Sequence, residues 1–155
     1  MGVTAAGKTT VGRALAADLH WRFVDSDAYH SAANIAKMRA GIPLTDEDRA
    51  PWLAALHRAI AGWLASGEDV VLACSALKAA YRERLQVSSE VKLVYLKAGE
   101  DLLAAHLATR TGHYMNPHLL RSQLETLEEP GDALTIDAGL PVAEAVEKIR
   151  AAFAV

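Results

Sequence analysis

Cysteine is almost missing from this chain. Cys74 is the only one among 155 residues, so no intramolecular disulfide can form, and a reducing cytoplasm is the expected compartment. Blocks of lysine or arginine are also missing. Sixteen basic residues stand against nineteen acidic ones, a formal net charge of −3, which argues against nucleic acid as the main partner. Long apolar runs are lacking too: Val70-Val71-Leu72-Ala73-Cys74 is of strand length, so no membrane span is expected. The opening glycine loop with Lys8 is not the pattern of a signal peptide. No internal repeat, linker or low-complexity tract divides the chain, which implies one domain over 1–155, large enough to bury roughly two-thirds of its unfolded surface. The hydrophobic content of 52% leans on alanine, which suits helices better than strands.

What is present begins at once. Gly2-Val3-Thr4-Ala5-Ala6-Gly7-Lys8-Thr9 fits G-x-x-x-x-G-K-[ST], a phosphate-binding loop. Gly2 and Gly7 let backbone N–H groups approach phosphate oxygens closely. Lys8 can reach the β- and γ-phosphates, the Thr9 hydroxyl can ligate Mg²⁺, and a helix starting after Gly7 would turn its positive end toward the anion.

Helical spacing of Val11, Leu15 and Leu19 predicts a helix from Lys8 to Leu19. A short strand at Trp21–Val24 ends on Asp25-Ser26-Asp27, and a helix is expected from His30 to Ala40, stopped by Gly41 and Pro43. After an acidic turn at Thr45–Asp48, Pro51 suits a first helical position, with Trp52, Leu56, Ile60, Trp63 and Leu64 on one face behind it. Further strands are expected at Val70–Cys74, Val91–Leu96 and Leu134–Asp137. Helices are expected at Leu77–Leu85, Glu100–Thr109, from Asn116-Pro117 to about Leu127, and at Val142–Phe153. Strands alternating with helices imply an α/β fold, a doubly wound parallel sheet with helices on both faces.

Asp25 and Asp27 end a strand on the edge where such sheets bind ligands. Beside a phosphate loop, one carboxylate could organise Mg²⁺ and another orient an acceptor hydroxyl and take its proton. The strand ending at Cys74-Ser75 has no acid to offer. Arg49, Lys78 and Arg82 fall on the same edge and could hold an anionic substrate. Arg110–Tyr114 has the look of a flap, with Gly112 permitting motion and Arg110 able to reach a transferring phosphoryl group. Cys74 is expected to pack, and His20, His57, His106 and His118 have no metal-ligand spacing and are expected to be structural or surface residues.

Taken together these segments resemble the thermoresistant-type gluconokinases, small P-loop sugar-acid kinases, over nearly the whole chain. The matching stretches are the loop through Thr9, Asp25–His30, Asn34 to Lys37-Met38, Gly41–Asp46 and Asp48–Trp52. The most specific are Val71–Lys78 with Tyr81-Arg82, and Gly112-His113 followed by Gln123–Glu128. These favour this family over shikimate or adenylate kinases. The resemblance implies ATP-dependent phosphorylation of D-gluconate on its 6-hydroxyl, with ATP and Mg²⁺ as cofactors, and commonly a homodimer. By this match Gly2, Val3, Thr4, Ala5, Ala6, Gly7, Lys8, Thr9 and Thr10 hold ATP, joined by Arg110, and Thr9 and Asp25 hold the metal. Lys8, Asp27 and Arg110 would be catalytic. Asp27, His30, Lys37, Arg49, Lys78, Arg82 and His113 would surround the substrate, within a helical segment about 29–66 and under a lid about 110–117.

Three departures stand out. The family usually has glycine at Ala5 and a small hydroxyl residue at Ala6, and alanine at position 5 is expected to keep φ negative. The third is a missing strand. In this architecture the strand before the loop lies at the centre of the sheet, between those ending at Cys74 and Leu96, yet only Met1 precedes Gly2. The expectation is therefore that the protein starts several residues upstream. Competing readings are a kinase of another hydroxy acid, and an inactive nucleotide-binding protein.

Overall fold

A computed structural model describes residues 1–109 and 117–155; the expected lid about 110–117 lies outside them apart from Pro117. Seven helices and four short strands alternate along the described chain: α1 (Lys8–Leu19), β1 (Arg22–Asp25), a 3-10 turn (Ser26–Tyr29), α2 (Ala32–Arg39), α3 (Asp46–Ser66), β2 (Val70–Ala73), α4 (Ala79–Leu85), β3 (Val94–Lys97), α5 (Glu100–Thr109), α6 (Pro117–Thr126), β4 (Leu134–Asp137) and α7 (Val142–Phe153). The α/β class is as expected, and β1–β2 and β3–β4 are both parallel pairs, Arg22 to Asp25 against Val70 to Ala73 and Val94 to Lys97 against Leu134 to Asp137.

Local chemistry moved some boundaries. Pro51 does not open a helix; it lies within α3, which starts five residues earlier at Asp46. The reason is a capping box, in which Thr45 Oγ1 accepts from Asp48 N at 3.1 Å and an Asp48 oxygen accepts from Thr45 N at 2.9 Å. The second helix starts at Ala32 rather than His30, because the Ser31 hydroxyl caps it by accepting from Asn34 N. β3 is shifted toward its C-terminal end, at Val94–Lys97 rather than Val91–Leu96.

One apolar cluster joins the loop to α1, α7 and β4 through Val3, Leu15, Leu96, Leu103, Ile136 and Val146. A second joins α3 and α4 to the end of β2 through Trp52, Leu56, Ile60, Cys74 and Tyr81. Cys74 is buried, as expected of a packing residue. No helix among the described residues is long and apolar enough to cross a membrane.

The sheet is split. Among the described residues, β2 pairs with β1 and β3 with β4, and no strand joins the pairs. Among the described residues, Met1 and Gly2 bridge them: Met1 O accepts from Leu96 N at 3.0 Å, and Gly2 N donates to Ser75 O at 3.3 Å. The place expected for a central strand is the place these two residues occupy.

Candidate active site

The phosphate loop leaves the sheet at Gly2, where an added Cβ would stand 2.8 Å from Leu96 O. Gly7 takes φ 89° as the N-cap of α1. No side chain caps α1, so its first-turn N–H groups and the positive end of its dipole are offered to an anion. Val3, Thr4, Ala5 and Ala6 of the loop are buried, and Lys8 Nζ donates to Val3 O at 2.8 Å across it. Thr10 is exposed in the first turn of α1.

Ala5 does not keep a negative φ; it sits at +62°. Its neighbours hold it there. His106 Nδ1 lies 2.8 Å from Ala5 O, and since a carbonyl only accepts, that nitrogen carries the proton. Thr4 N donates to Gln123 Oε1 at 2.6 Å. Tertiary contacts thus fix a conformation that costs alanine on the order of 1–2 kcal/mol. His106 and Gln123 were not read from sequence as loop supports, and no spacing could have shown them so.

Asp25 and Asp27 follow directly. Thr9 Oγ1 donates to Asp25 Oδ2 at 3.2 Å, and Asp27 N donates to Asp25 Oδ1 at 3.0 Å, capping the 3-10 turn. Asp25 is thereby fixed beside the loop hydroxyl. Asp27 is open to solvent at its rim but crowded by protein, and desolvation together with the Asp25 charge raises its pKa, with Lys8 pulling the other way. Among the described residues no cluster of three or more His, Cys, Asp or Glu could cage a metal. A hydroxyl and a single fixed carboxylate instead suit Mg²⁺, which takes one or two carboxylates and completes its shell with water and phosphate.

The remaining site residues are tied to this edge through Trp52. Its Nε1 donates to Ser26 O at 2.8 Å, and His30 stacks on its ring with centroids 4.6 Å apart and planes 7° apart. Burial, with the Arg49 charge nearby, lowers the His30 pKa to about 4, so the ring is neutral at pH 7. Arg49 and Lys78 converge on Tyr81, at 5.7 and 5.6 Å from its ring centroid. Arg49 also donates to Leu44 O at 2.7 Å. Asp46 lies between the groups: Lys78 Nζ donates to both its oxygens at 2.9 Å, and the Tyr81 hydroxyl donates to it as well.

Lys37 and Arg82 are placed differently. Lys37 Nζ is paired with both oxygens of Asp48 at 2.8 Å. Arg82 is buried, its guanidinium donating to Ala76 O and Leu77 O at 3.1 Å, so it shapes the turn after β2 from inside. Glu128 holds that turn from the other end, accepting from Ala79 N at 2.6 Å. Arg110 and His113 lie outside the described residues.

The chain is similar to known proteins in sequence and in overall fold. A family profile described as an AAA domain matches residues 1–130. The gluconokinase of Gluconobacter oxydans is 48% identical over 133 residues, covering 85% of this chain and 75% of the relative. The thermoresistant gluconokinase of Escherichia coli is 38% identical over 159 residues, covering 97% and 91%. The chain belongs to the gluconokinase family. A crystal structure of a gluconokinase from Sinorhizobium meliloti superposes with a TM-score of 0.87 at 45% identity, covering 99% of this chain and 89% of that one. Membership confirms the P-loop kinase fold, and likeness over 99% of the chain means that the shared fold runs through α2, α3 and α4 as well as the loop.

Proposed function

We propose that this gluconokinase-family chain transfers the γ-phosphoryl group of ATP to the 6-hydroxyl of D-gluconate, giving 6-phospho-D-gluconate and ADP. The observation that carries this reading is one continuous contact path. It runs from the loop through Thr9 to Asp25 and Asp27, and through Ser26 and Trp52 to His30, with Arg49 and Lys78 beyond. A phosphate cradle, a proton acceptor and a cation pair thus share one sheet edge.

In this reading the amides from Gly2 to Thr10, with Lys8, bind the polyphosphate. Thr9 and Asp25 are the residues that would hold Mg²⁺, whose part is to neutralise charge on the phosphate oxygens. Asp27 accepts the proton of the attacking hydroxyl at a carboxylate oxygen. Its raised pKa makes it a stronger base than an ordinary aspartate. Lys78 exchanges Asp46 for the substrate carboxylate with Arg49 beside it, and neutral His30 and Lys37 border the hydroxyls. Arg82 supports Lys78 from within. Arg110 and His113 belong to the lid in this proposal, and the working form is a cytosolic homodimer.

The test is acceptor-dependent ATP consumption. Turnover with gluconate should far exceed that with shikimate, glycerate or glucose, and equal rates across these acceptors would overturn the assignment. Lys8→Ala removes a charge-assisted contact worth about 1.5–3 kcal/mol, so at least a roughly 10–100-fold loss of activity is expected.

A further inference from the structure

Two helices reach the phosphate loop at neighbouring residues. His106 of α5 donates from Nδ1 to Ala5 O at 2.8 Å, and Gln123 of α6 accepts at Oε1 from Thr4 N at 2.6 Å. Apolar residues close by seat both helices. Leu103 lies in the core cluster that contains Val3, Ala5 and Ala6, and Leu120 and Leu124 pack against that cluster.

We infer that His106 and Gln123 are positioning residues for the phosphoryl donor, turning two loop peptides so that Lys8 and the Ala6 amide are aimed before ATP arrives. The inference rests on the loop binding the phosphates of ATP, as proposed above.

Peptide geometry shows how two bonds at the back of the loop govern its front. The loop peptides are trans, so the N–H and C=O of one unit point in opposite directions. Gln123 draws Thr4 N to one side, which sends the carbonyl of the same unit, Val3 O, to the other. There Val3 O accepts from Lys8 Nζ at 2.8 Å and from Ala6 N at 3.3 Å. His106 acts on the next unit but one. It draws Ala5 O outward, and the N–H of that unit, Ala6 N, turns inward to Val3 O. The Lys8 ammonium and the Ala6 amide are therefore gathered at one carbonyl by contacts that neither of them makes.

Ala5 shows what these bonds work against. Its φ is +62°, a region that alanine seldom enters. Released from His106, the residue would relax to negative φ and the Ala5–Ala6 unit would rotate with it. Both side chains act through loop backbone, so their effect falls on ATP. The cations around Tyr81 are carried by α3 and the start of α4, away from these two bonds.

The experiment measures ATP affinity by titration calorimetry, together with the KM for ATP and for gluconate. His106→Leu and Gln123→Met should each weaken ATP by about tenfold in Kd and KM alike, the worth of one hydrogen bond. The KM for gluconate should stay nearly unchanged. His106→Asn, whose amide reaches the Nδ1 position, should bind ATP as the parent does. Ala5→Gly added to His106→Leu should recover most of the loss, because glycine enters positive φ without help. Equal losses for both substrates, unchanged ATP affinity in His106→Leu and Gln123→Met, or no recovery with Ala5→Gly would overturn the inference. Should His106→Leu not fold, His106→Gln, whose amide lies at the Nε2 position instead, gives the same contrast with His106→Asn. Lys8→Ala separates the two levels. Unchanged ATP binding there would remove the loop from ATP altogether, whereas loss there with full binding by His106→Leu and Gln123→Met would remove only the positioning role.

Discussion

The phosphate loop and the cation cluster around Tyr81 meet at one sheet edge but are held by opposite means. The loop is buried, and its supports are fixed hydrogen bonds to its own backbone, Gln123 accepting from Thr4 N and His106 and Lys8 donating to Ala5 O and Val3 O. The cluster is nearer solvent, and its cations are neutralised by acids of the same chain: Lys78 by Asp46, and Lys37 by Asp48. Arg49 shares this environment; the Tyr81 hydroxyl and then Lys78 hold the Asp46 carboxyl below the usual range, and Lys37 with the Thr45 backbone does the same for Asp48. A ligand meets finished geometry at the loop, whereas at the cluster it must displace a carboxylate. The loop therefore suits a polyphosphate that every turnover brings, and the cluster suits discrimination, since only an anion that replaces Asp46 well gains from binding.

The sharpest way to break this comparison is at Asp27, which stands between the two regions. Asp27→Asn should lower kcat by about 10²–10⁴ with little change in the KM for gluconate, measured in steady-state assays. In the unaltered enzyme the acidic limb of the kcat/KM profile should fall above the ordinary aspartate range, as its raised pKa requires. A loss below tenfold would remove Asp27 as the base. Next comes the cluster. Arg49→Ala and Lys78→Ala should each raise the KM for gluconate about 10–100-fold, the worth of a charge-assisted bond, while the KM for ATP changes little. Equal effects on both substrates would mean that the two regions are not separable.

The third prediction concerns pH. His30 is lowered from 6.5 to about 4 in the folded chain, so the unfolded chain binds more protons between those values and stability rises with pH across that window. Melting temperatures should climb from pH 4 to 6.5, and His30→Gln should flatten the rise. The smallest effect is at the loop. Ala5→Gly relieves a positive φ and should stabilise by about 1 kcal/mol, roughly 2–4 °C for a chain of this length. No gain would mean that the hydrogen bonds on either side of Ala5 leave no strain to release.

Much of this was legible from local patterns. The loop, the paired aspartates and most elements occupy contiguous stretches whose chemistry is set by near neighbours, and α1, α5, β4 and α7 match their expected spans. Pro51 was misread because a favourable residue for one helix start was weighed without the stronger Thr45–Asp48 box just before it. Arg82 looked like Arg49 and Lys78 in sequence, yet its guanidinium turns inward to backbone carbonyls. Nothing in the sequence signals which way a long side chain will fold.

By itself, then, the sequence determined that a phosphate-loop motif and two closely spaced aspartates are present, and that strands and helices alternate, because these depend on residue identity and short spacing. Only the tertiary structure decided that Ala5 adopts a left-handed turn, because its supports come from His106 and Gln123, more than 100 residues away. It likewise decided that Asp46 closes the cation pair.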